Sequence, residues 1–204
     1  MPTAGPFTAA MTGLRSAANG PAVGIGATLT LPMDVRIAAE SARFGFVFGR
    51  VGIVPEAASS WFLPRVVGIS QAMEWVATGR VFDAQEALRG RLVSRVVPDD
   101  ELLPTAYALA AEIVANTSAV AVGTARRLLW SMLGAASPWD AHRAESRALA
   151  ALGGGPDATE GVAAFLEKRP ADFPARLGDD ATDLPAWPTP PDDVQPPGRI
   201  SPDS

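Results

Sequence analysis

The chain has 204 residues, with 17 lysines and arginines against 22 aspartates and glutamates, and a net charge of -5. This acidic balance, without a basic run, argues against a nucleic-acid partner. The absence of cysteine excludes disulfides, thiolate metal sites and a cysteine nucleophile, and no apolar run reaches the roughly 18 residues of a membrane span. We therefore expect a cytoplasmic protein without a membrane partner.

The first part of the chain predicts a strand–turn–short helix–strand unit. Residues 1–18 have no sustained periodicity and predict an irregular lead-in, with a short strand over 14–18 as its one regular segment. Small residues then lead into a helical turn or two over 27–33. Residues 35–39 alternate β-branched with other side chains, which is typical of a strand.

Aromatic residues at a spacing of two mark the next segment. If Phe44, Phe46 and Phe48 lie on extended chain, all three rings point to one face, which predicts a core face. Later segments read mainly as helices. They are predicted over 59–67, 70–78 with Ser70 as cap, a short helix from Asp83 with a capping box to Glu86, 102–116, 120–133, 139–152 and 157–168, with a strand over 92–97.

Composition divides the chain into four parts. After the lead-in, residues 19–116 form the predicted core and 117–170 a helical region. Residues 171–204 combine many prolines with aspartates, and such a segment buries too little apolar area to offset its chain entropy. We expect a solvated tail there.

Two turns carry the chemistry that the sequence suggests. Gly24 and Gly26 flank Ile25 ahead of a short helix, whose first backbone N–H groups lack intrahelical acceptors and could hold a developing negative oxygen. Glu56 follows a second turn and precedes the helix predicted from residue 59. We expect a base and an oxyanion site that face each other.

Several separated motifs give the chain a resemblance to the enoyl-CoA hydratase/isomerase family, also called the crotonase superfamily. In chain order they are Asn19-Gly-Pro-Ala-Val-Gly-Ile-Gly-Ala, Asp34-Val-Arg-Ile-Ala, Arg43-Phe-Gly, Gly52-Ile-Val-Pro, Thr78-Gly-Arg, Glu86-Ala-Leu-Arg-Gly-Arg-Leu-Val and Glu160-Gly-Val-Ala-Ala-Phe-Leu-Glu-Lys-Arg. The resemblance implies an α/β fold with a crotonase-like ββα spiral core, followed by an α-helical region that mediates trimers. It also implies acyl-CoA thioester substrates and no separate cofactor.

The resemblance runs from Asn19 to about residue 174. Family members have earlier strands, an adenine-binding loop and a first oxyanion-hole amide, and residues 1–18 do not resemble that section. We therefore expect a partial spiral core. Activity would require these elements from elsewhere, and a non-catalytic remnant that binds CoA thioesters is the alternative.

The same resemblance assigns the oxyanion hole to the backbone amides of Ile25 and Gly26, with Gly24 beside the substrate. The alternative is that both glycines only permit a tight turn. A dinucleotide site is disfavoured, because no third glycine stands at residue 29 and no complete strand–helix–strand unit with an acidic end follows.

Related hydratases carry two glutamates at positions that correspond to Thr28 and Phe48. Neither residue can exchange a proton with water or carbon, so hydration by two carboxylates is not supported. Glu56 matches the acid of isomerase-like relatives, and we expect Phe48, Ile53, Val54 and Trp61 to enclose it. The alternative is a carboxylate that only caps a helix.

The remaining candidates concern substrate binding. Phe48, Pro55 and Trp61 are predicted beside the acyl group, although a tryptophan in this setting is also typical of core. Lys168 matches a lysine that contacts a CoA phosphate, with a plain surface lysine as the alternative. His142 is the only histidine and is expected at the surface, and no residue spacing predicts a metal site.

Overall fold

The computed structural model describes residues 15–176 of the chain. The expectations for residues 1–14 and for the tail from residue 177 concern parts outside it. In chain order the elements are β1 (Arg15–Ala18), β2 (Pro21–Val23), α1 (Ile25–Thr28), β3 (Val35–Ala39), β4 (Arg43–Gly45), a 3-10 helix (Val47–Val51), α2 (Ser59–Val67), α3 (Ile69–Thr78), β5 (Val81–Asp83), α4 (Ala84–Arg89), β6 (Arg95–Val97), a 3-10 turn (Asp99–Glu101), α5 (Leu102–Asn116), α6 (Ala119–Met132), α7 (Pro138–Leu152) and α8 (Pro156–Glu167).

The strands form two small sheets. In one, β3 lies between β1 and β6, and all three run parallel. In the other, β4 pairs in parallel with β2 and antiparallel with β5. The Gly24 N–H donates to the Gly45 carbonyl at 2.9 Å, which extends the β2–β4 pairing by one bond. This sheet therefore determines the position of the turn that precedes α1.

Stacked aromatic rings form the centre of the main core. The Trp75 ring lies 4.2 Å from that of Phe82 and 6.2 Å from that of Phe46. The predicted burial of Phe44, Phe46 and Phe48 is confirmed. The prediction of one extended segment is wrong beyond Gly45, because a 3-10 helix begins at residue 47 and carries the Phe48 ring inward.

Two predicted details of the helix ends are corrected. Helix α3 begins at Ile69 directly after Gly68, so Ser70 lies inside the helix and does not cap it. Asp83 caps α4 by accepting the Glu86 N–H at 2.7 Å, but the Glu86 carboxylate does not complete the box. It binds the Trp75 indole at 2.7 Å and forms an ion pair with Arg80.

The predicted strand over 92–97 is shorter in the structure. Strand β6 covers only Arg95–Val97, because the Leu92 and Val93 amides donate to the Ala87 carbonyl at 2.8 and 3.3 Å. These two bonds close the C-terminal end of α4, so both residues are unable to extend the strand through the same groups.

Asp34 connects the sheet region to the helical half of the chain. Its carboxylate accepts the Arg126 Nε–H at 2.6 Å and the Trp130 indole N–H at 2.5 Å, and both donors lie on α6. Nearby, the guanidinium of Arg36 donates to the Leu92 carbonyl at 2.6 Å, and burial lowers its pKa. Polar contacts therefore join segments that are distant in sequence.

Within residues 15–176, no single helix has both the length and the hydropathy to cross a membrane. The segments Asp99–Asn116 and Ala119–Met132 together have the length and composition of a membrane span, but they are bent by 113° relative to each other.

Candidate active site

The turn between β2 and α1 has a backbone conformation that requires glycine. Gly24 has φ 59° and ψ -125°, which a residue with a Cβ atom rarely adopts. Its carbonyl accepts the amides of Ala27 and Thr28 at 2.9 and 3.2 Å. The Ile25 and Gly26 amides have no hydrogen-bond acceptor among the described residues. Two neighbouring donors are thus left at the start of α1, at the positions predicted for the oxyanion hole.

The side-chain positions of the two donor residues face open space. A Cβ built on Gly26 meets no heavy atom within 4 Å, and the Ile25 side chain is exposed. The side-chain positions of these two residues are therefore open.

The two glycines are expected to respond differently to substitution. Gly24→Ala should lower the free energy of unfolding by about 1–3 kcal/mol, because alanine is strained at this positive φ. Gly26→Ala should leave it unchanged or raise it by up to about 1 kcal/mol, because Gly26 lies on a helix with room for a methyl group. Urea unfolding of both variants measures this difference. Equal losses would contradict the assignment of the strained position to Gly24.

Glu56 lies on a turn with an unusual backbone. Ala57 and Ala58 follow it with φ 56° and 54°, a left-handed conformation that costs of order 1 kcal/mol or more for each residue other than glycine. The Ser59 amide donates to the Glu56 carbonyl at 3.1 Å, and α2 begins there. Two residues in a strained backbone conformation therefore separate the candidate base from α2.

A hydrogen bond joins the two turns. The buried Thr28 hydroxyl, at the end of α1, lies 2.5 Å from Glu56 Oε1 and 3.2 Å from the Ile25 carbonyl oxygen. The Glu56 carboxyl thus lies within two hydrogen-bond lengths of the residue whose amide is the predicted oxyanion donor. Sequence reasoning treated Thr28 only as the replacement of a hydratase glutamate and missed this contact.

The expected apolar enclosure of Glu56 is wrong for this chain. Ile53 and Val54 are 57% and 79% exposed, and Glu56 is itself exposed. The reason is that residues 52–55 run along the surface after the 3-10 helix, and no described element covers them. The carboxyl is oriented by its hydrogen bond to Thr28 and not by an apolar wall.

Trp61 lines a cavity beside the Glu56 turn. Its side chain is 38% exposed, and its ring packs 4.8 Å from that of Phe62 and 6.2 Å from that of Trp130. These three aromatic residues line a cavity of about 600 Å³, together with Ala58, Met132 and Asp140. Trp61 therefore lines a cavity that extends to Ala58, two residues after Glu56.

The other predicted substrate-binding residues are elsewhere. Phe48 is buried, and Pro55 lines a separate groove of about 220 Å³ between α2 and α3. Lys168, the only lysine, ends α8 with φ 55° and is exposed. No hydrogen bond or ion pair links its ammonium group to any residue in the described part. His142 is exposed, as expected, with its ring 5.8 Å from that of Trp139.

Next to Lys168, an ion pair holds the end of the described chain on α8. The Glu160 carboxylate accepts hydrogen bonds from the two terminal guanidinium nitrogens of Arg169 at 2.6 and 2.9 Å, and from the Asp172 amide at 2.7 Å. Arg169 is the main cause that lowers the pKa of Glu160 to about 2, and the Asp172 N–H adds to it.

This ion pair predicts a dependence of stability on pH. Because the pKa of folded Glu160 lies below its ordinary value of 4.5, its contribution is complete above about pH 4.5 and is lost as the pH falls towards 2. The free energy of unfolding of the wild type should therefore fall more steeply over this range than that of Glu160→Gln. Urea unfolding at several pH values measures both slopes, and parallel curves would contradict the prediction.

Comparisons with known proteins identify the family of this chain. Residues 13–176 match the enoyl-CoA hydratase/isomerase family. An enoyl-CoA hydratase of Alternaria alternata is 45% identical over 155 residues, which cover 76% of this chain and 52% of that protein. The chain thus spans about half the length of this curated relative.

Solved structures show the same similarity. An enoyl-CoA hydratase from Bacillus anthracis has a TM-score of 0.74 at 32% identity, covering 82% of this chain and 64% of that one. An enoyl-CoA hydratase/isomerase from Cupriavidus metallidurans has a TM-score of 0.73 at 29% identity, covering 84% and 66%. The predicted fold class, a partial crotonase-like α/β core followed by helices, is confirmed. The chain belongs to the enoyl-CoA hydratase/isomerase family.

Proposed function

We propose that this chain is an enoyl-CoA isomerase, which moves the double bond of a 3-enoyl-CoA thioester to the 2-position with Glu56 as base. The observation that carries the proposal is the 2.5 Å contact between Thr28 Oγ1 and Glu56 Oε1. It brings one carboxylate to the end of the helix that begins with the unpaired Ile25 and Gly26 amides.

The reaction consumes no co-reactant beyond the substrate. The Glu56 carboxylate takes a proton from C2, and the electron pair of the broken C–H bond moves onto the thioester oxygen. The Ile25 and Gly26 N–H groups stabilise this enolate. Removal of one such donor raises the activation free energy by roughly 3 kcal/mol. Glu56 returns the proton to C4 as the C2=C3 double bond forms. No resident cofactor or water is consumed.

Hydration is the second candidate. The Alternaria alternata relative and the Bacillus anthracis structure carry the name enoyl-CoA hydratase, which favours this activity. Against it, the addition of water requires groups that activate the water and protonate carbon. At the two positions where related hydratases carry glutamates, this chain has the Thr28 hydroxyl, which donates to Glu56, and the buried Phe48 ring. One carboxylate is sufficient for isomerisation.

The cavity lined by Trp61, Phe62 and Trp130 supports an apolar acyl group on the substrate. In the same proposal, Lys168 contacts a CoA phosphate, the helical region from residue 117 forms trimers, and the protein acts in the cytoplasm. Lys168 is exposed, and no described contact links it to Glu56. Both observations agree with an active site that is shared between subunits.

A product assay tests the proposal. Incubation of the full chain with 3-hexenoyl-CoA should give 2-hexenoyl-CoA, detected by absorbance of the conjugated thioester and by chromatography. A hydratase would instead convert 2-hexenoyl-CoA into the 3-hydroxyacyl thioester. Calorimetric binding of hexanoyl-CoA without either product would support the non-catalytic alternative and overturn the isomerase proposal.

A further inference from the structure

The Thr28 hydroxyl has one proton to donate and two acceptors within hydrogen-bond distance. Glu56 Oε1 lies 2.5 Å from its hydroxyl oxygen and the Ile25 carbonyl oxygen lies at 3.2 Å. A hydroxyl group donates one hydrogen bond, and a bond to a carboxylate is stronger than one to a neutral carbonyl. The shorter contact therefore takes the proton, and Thr28 donates to Glu56.

The position of Thr28 on α1 fixes the orientation of its hydroxyl group. Thr28 is buried, and its amide donates to the Gly24 carbonyl at 3.2 Å, so its backbone is part of the turn that carries the unpaired amides. A β-branched side chain on a helix has few χ1 rotamers available. The hydroxyl is therefore oriented before any substrate arrives.

The bond distinguishes the two oxygens of the Glu56 carboxyl. Oε1 is held by Thr28, whereas Oε2 has no hydrogen bond to any residue between 15 and 176. Because Glu56 is exposed and has no apolar enclosure, little else restricts rotation of its carboxyl group. One donor is then what keeps a single oxygen directed towards the neighbouring turn.

We propose that Thr28 is a positioning residue, which holds Oε1 of Glu56 so that Oε2 alone removes and returns the substrate proton. The inference rests on the proposed isomerase function. In the carboxylate, Oε1 accepts the Thr28 proton. After Oε2 has taken the proton from C2, Oε1 is the carbonyl oxygen of a carboxylic acid and still accepts it. The same bond therefore persists while the proton is carried from C2 to C4.

The test compares Thr28→Val, which has a similar shape but no hydroxyl, with Thr28→Ser, which keeps it. Thr30→Val is the matched control, because the Thr30 hydroxyl lies on the same turn and donates only to the Ala27 carbonyl, at 2.8 Å. With 3-hexenoyl-CoA, we expect Thr28→Val to lower kcat by about 10- to 100-fold with KM within about twofold, since loss of orientation acts on the chemical step. Thr28→Ser and Thr30→Val should retain kcat within about threefold. An unchanged kcat in Thr28→Val, or a change in KM alone, would overturn the inference.

A spectroscopic experiment tests the role of Thr28 separately from the isomerase proposal. In protein labelled with carbon-13 at the glutamate carboxyls, the Glu56 signal is assigned from its loss in Glu56→Gln. The signal should move in Thr28→Val and return in Thr28→Ser. A wild type without turnover would contradict the isomerase function, and the signal alone would then decide the role of Thr28. A Glu56 signal that is identical in wild type and Thr28→Val would overturn that role whatever the turnover.

Discussion

Replacement of Glu56 by glutamine is expected to lower isomerase turnover by about 10²- to 10⁴-fold, the range that a general base contributes. The amide oxygen of glutamine can still accept the Thr28 hydroxyl, so the hydrogen bond that joins the two turns is conserved. What is lost is the basic oxygen that accepts the C2 proton. Initial rates with 3-hexenoyl-CoA, together with the free energy of unfolding, separate the chemical effect from a loss of fold.

A matched control exists on α5. Glu112 is exposed, and its carboxylate makes no hydrogen bond or ion pair with the described residues, so Glu112→Gln removes the same charge without touching the site. It should retain wild-type turnover. If Glu56→Gln retained it as well, the isomerase mechanism would lose its base.

Replacement of Asp34 by alanine is expected to lower the free energy of unfolding by about 2–3 kcal/mol. The substitution removes a partly buried ion pair with Arg126, at 2.6 Å, and leaves the Trp130 indole N–H without its acceptor. Hydrogen bonds to charged groups contribute about 1.5–3 kcal/mol each, reduced here because both side chains keep some contact with water. Urea unfolding, with an unchanged m value, measures the loss.

The matched control for Asp34 is an exposed ion pair. Glu74 pairs with Arg80 at 2.7 Å, but its side chain is 54% exposed, and Arg80 keeps Glu86 as a second partner. Glu74→Ala should therefore change stability by less than about 1 kcal/mol. Similar losses of unfolding free energy for the two variants would show that the contact of Asp34 with α6 contributes no more to stability than an exposed ion pair does.

Local signals were sufficient for most helices. The predicted bounds of 59–67 and 102–116 coincide with α2 and α5, because small residues, glycine and proline mark their ends within one turn. The three-residue strands β2 and β5 were not predicted. So short a segment has no readable alternation, and its extended shape comes from pairing with β4.

The candidate site divides in the same way. Motifs identified the glycine turn and Glu56, and these remain predictions of function. The left-handed turn at Ala57 and Ala58 has no sequence signal, because alanine favours helix and disfavours positive φ. The bond between Thr28 and Glu56 spans 28 residues, and neither residue type by itself indicates the other.

The sequence by itself determined the family, the α/β class, most helices and the glycine at which the chain must turn, because periodicity, capping and backbone sterics act within a few residues. Only the tertiary structure decided that Thr28 holds one oxygen of Glu56, how exposed that carboxyl is, and that Asp34 connects the sheets to α6. Those outcomes depend on groups that meet only when distant segments pack, and no local preference encodes their separation.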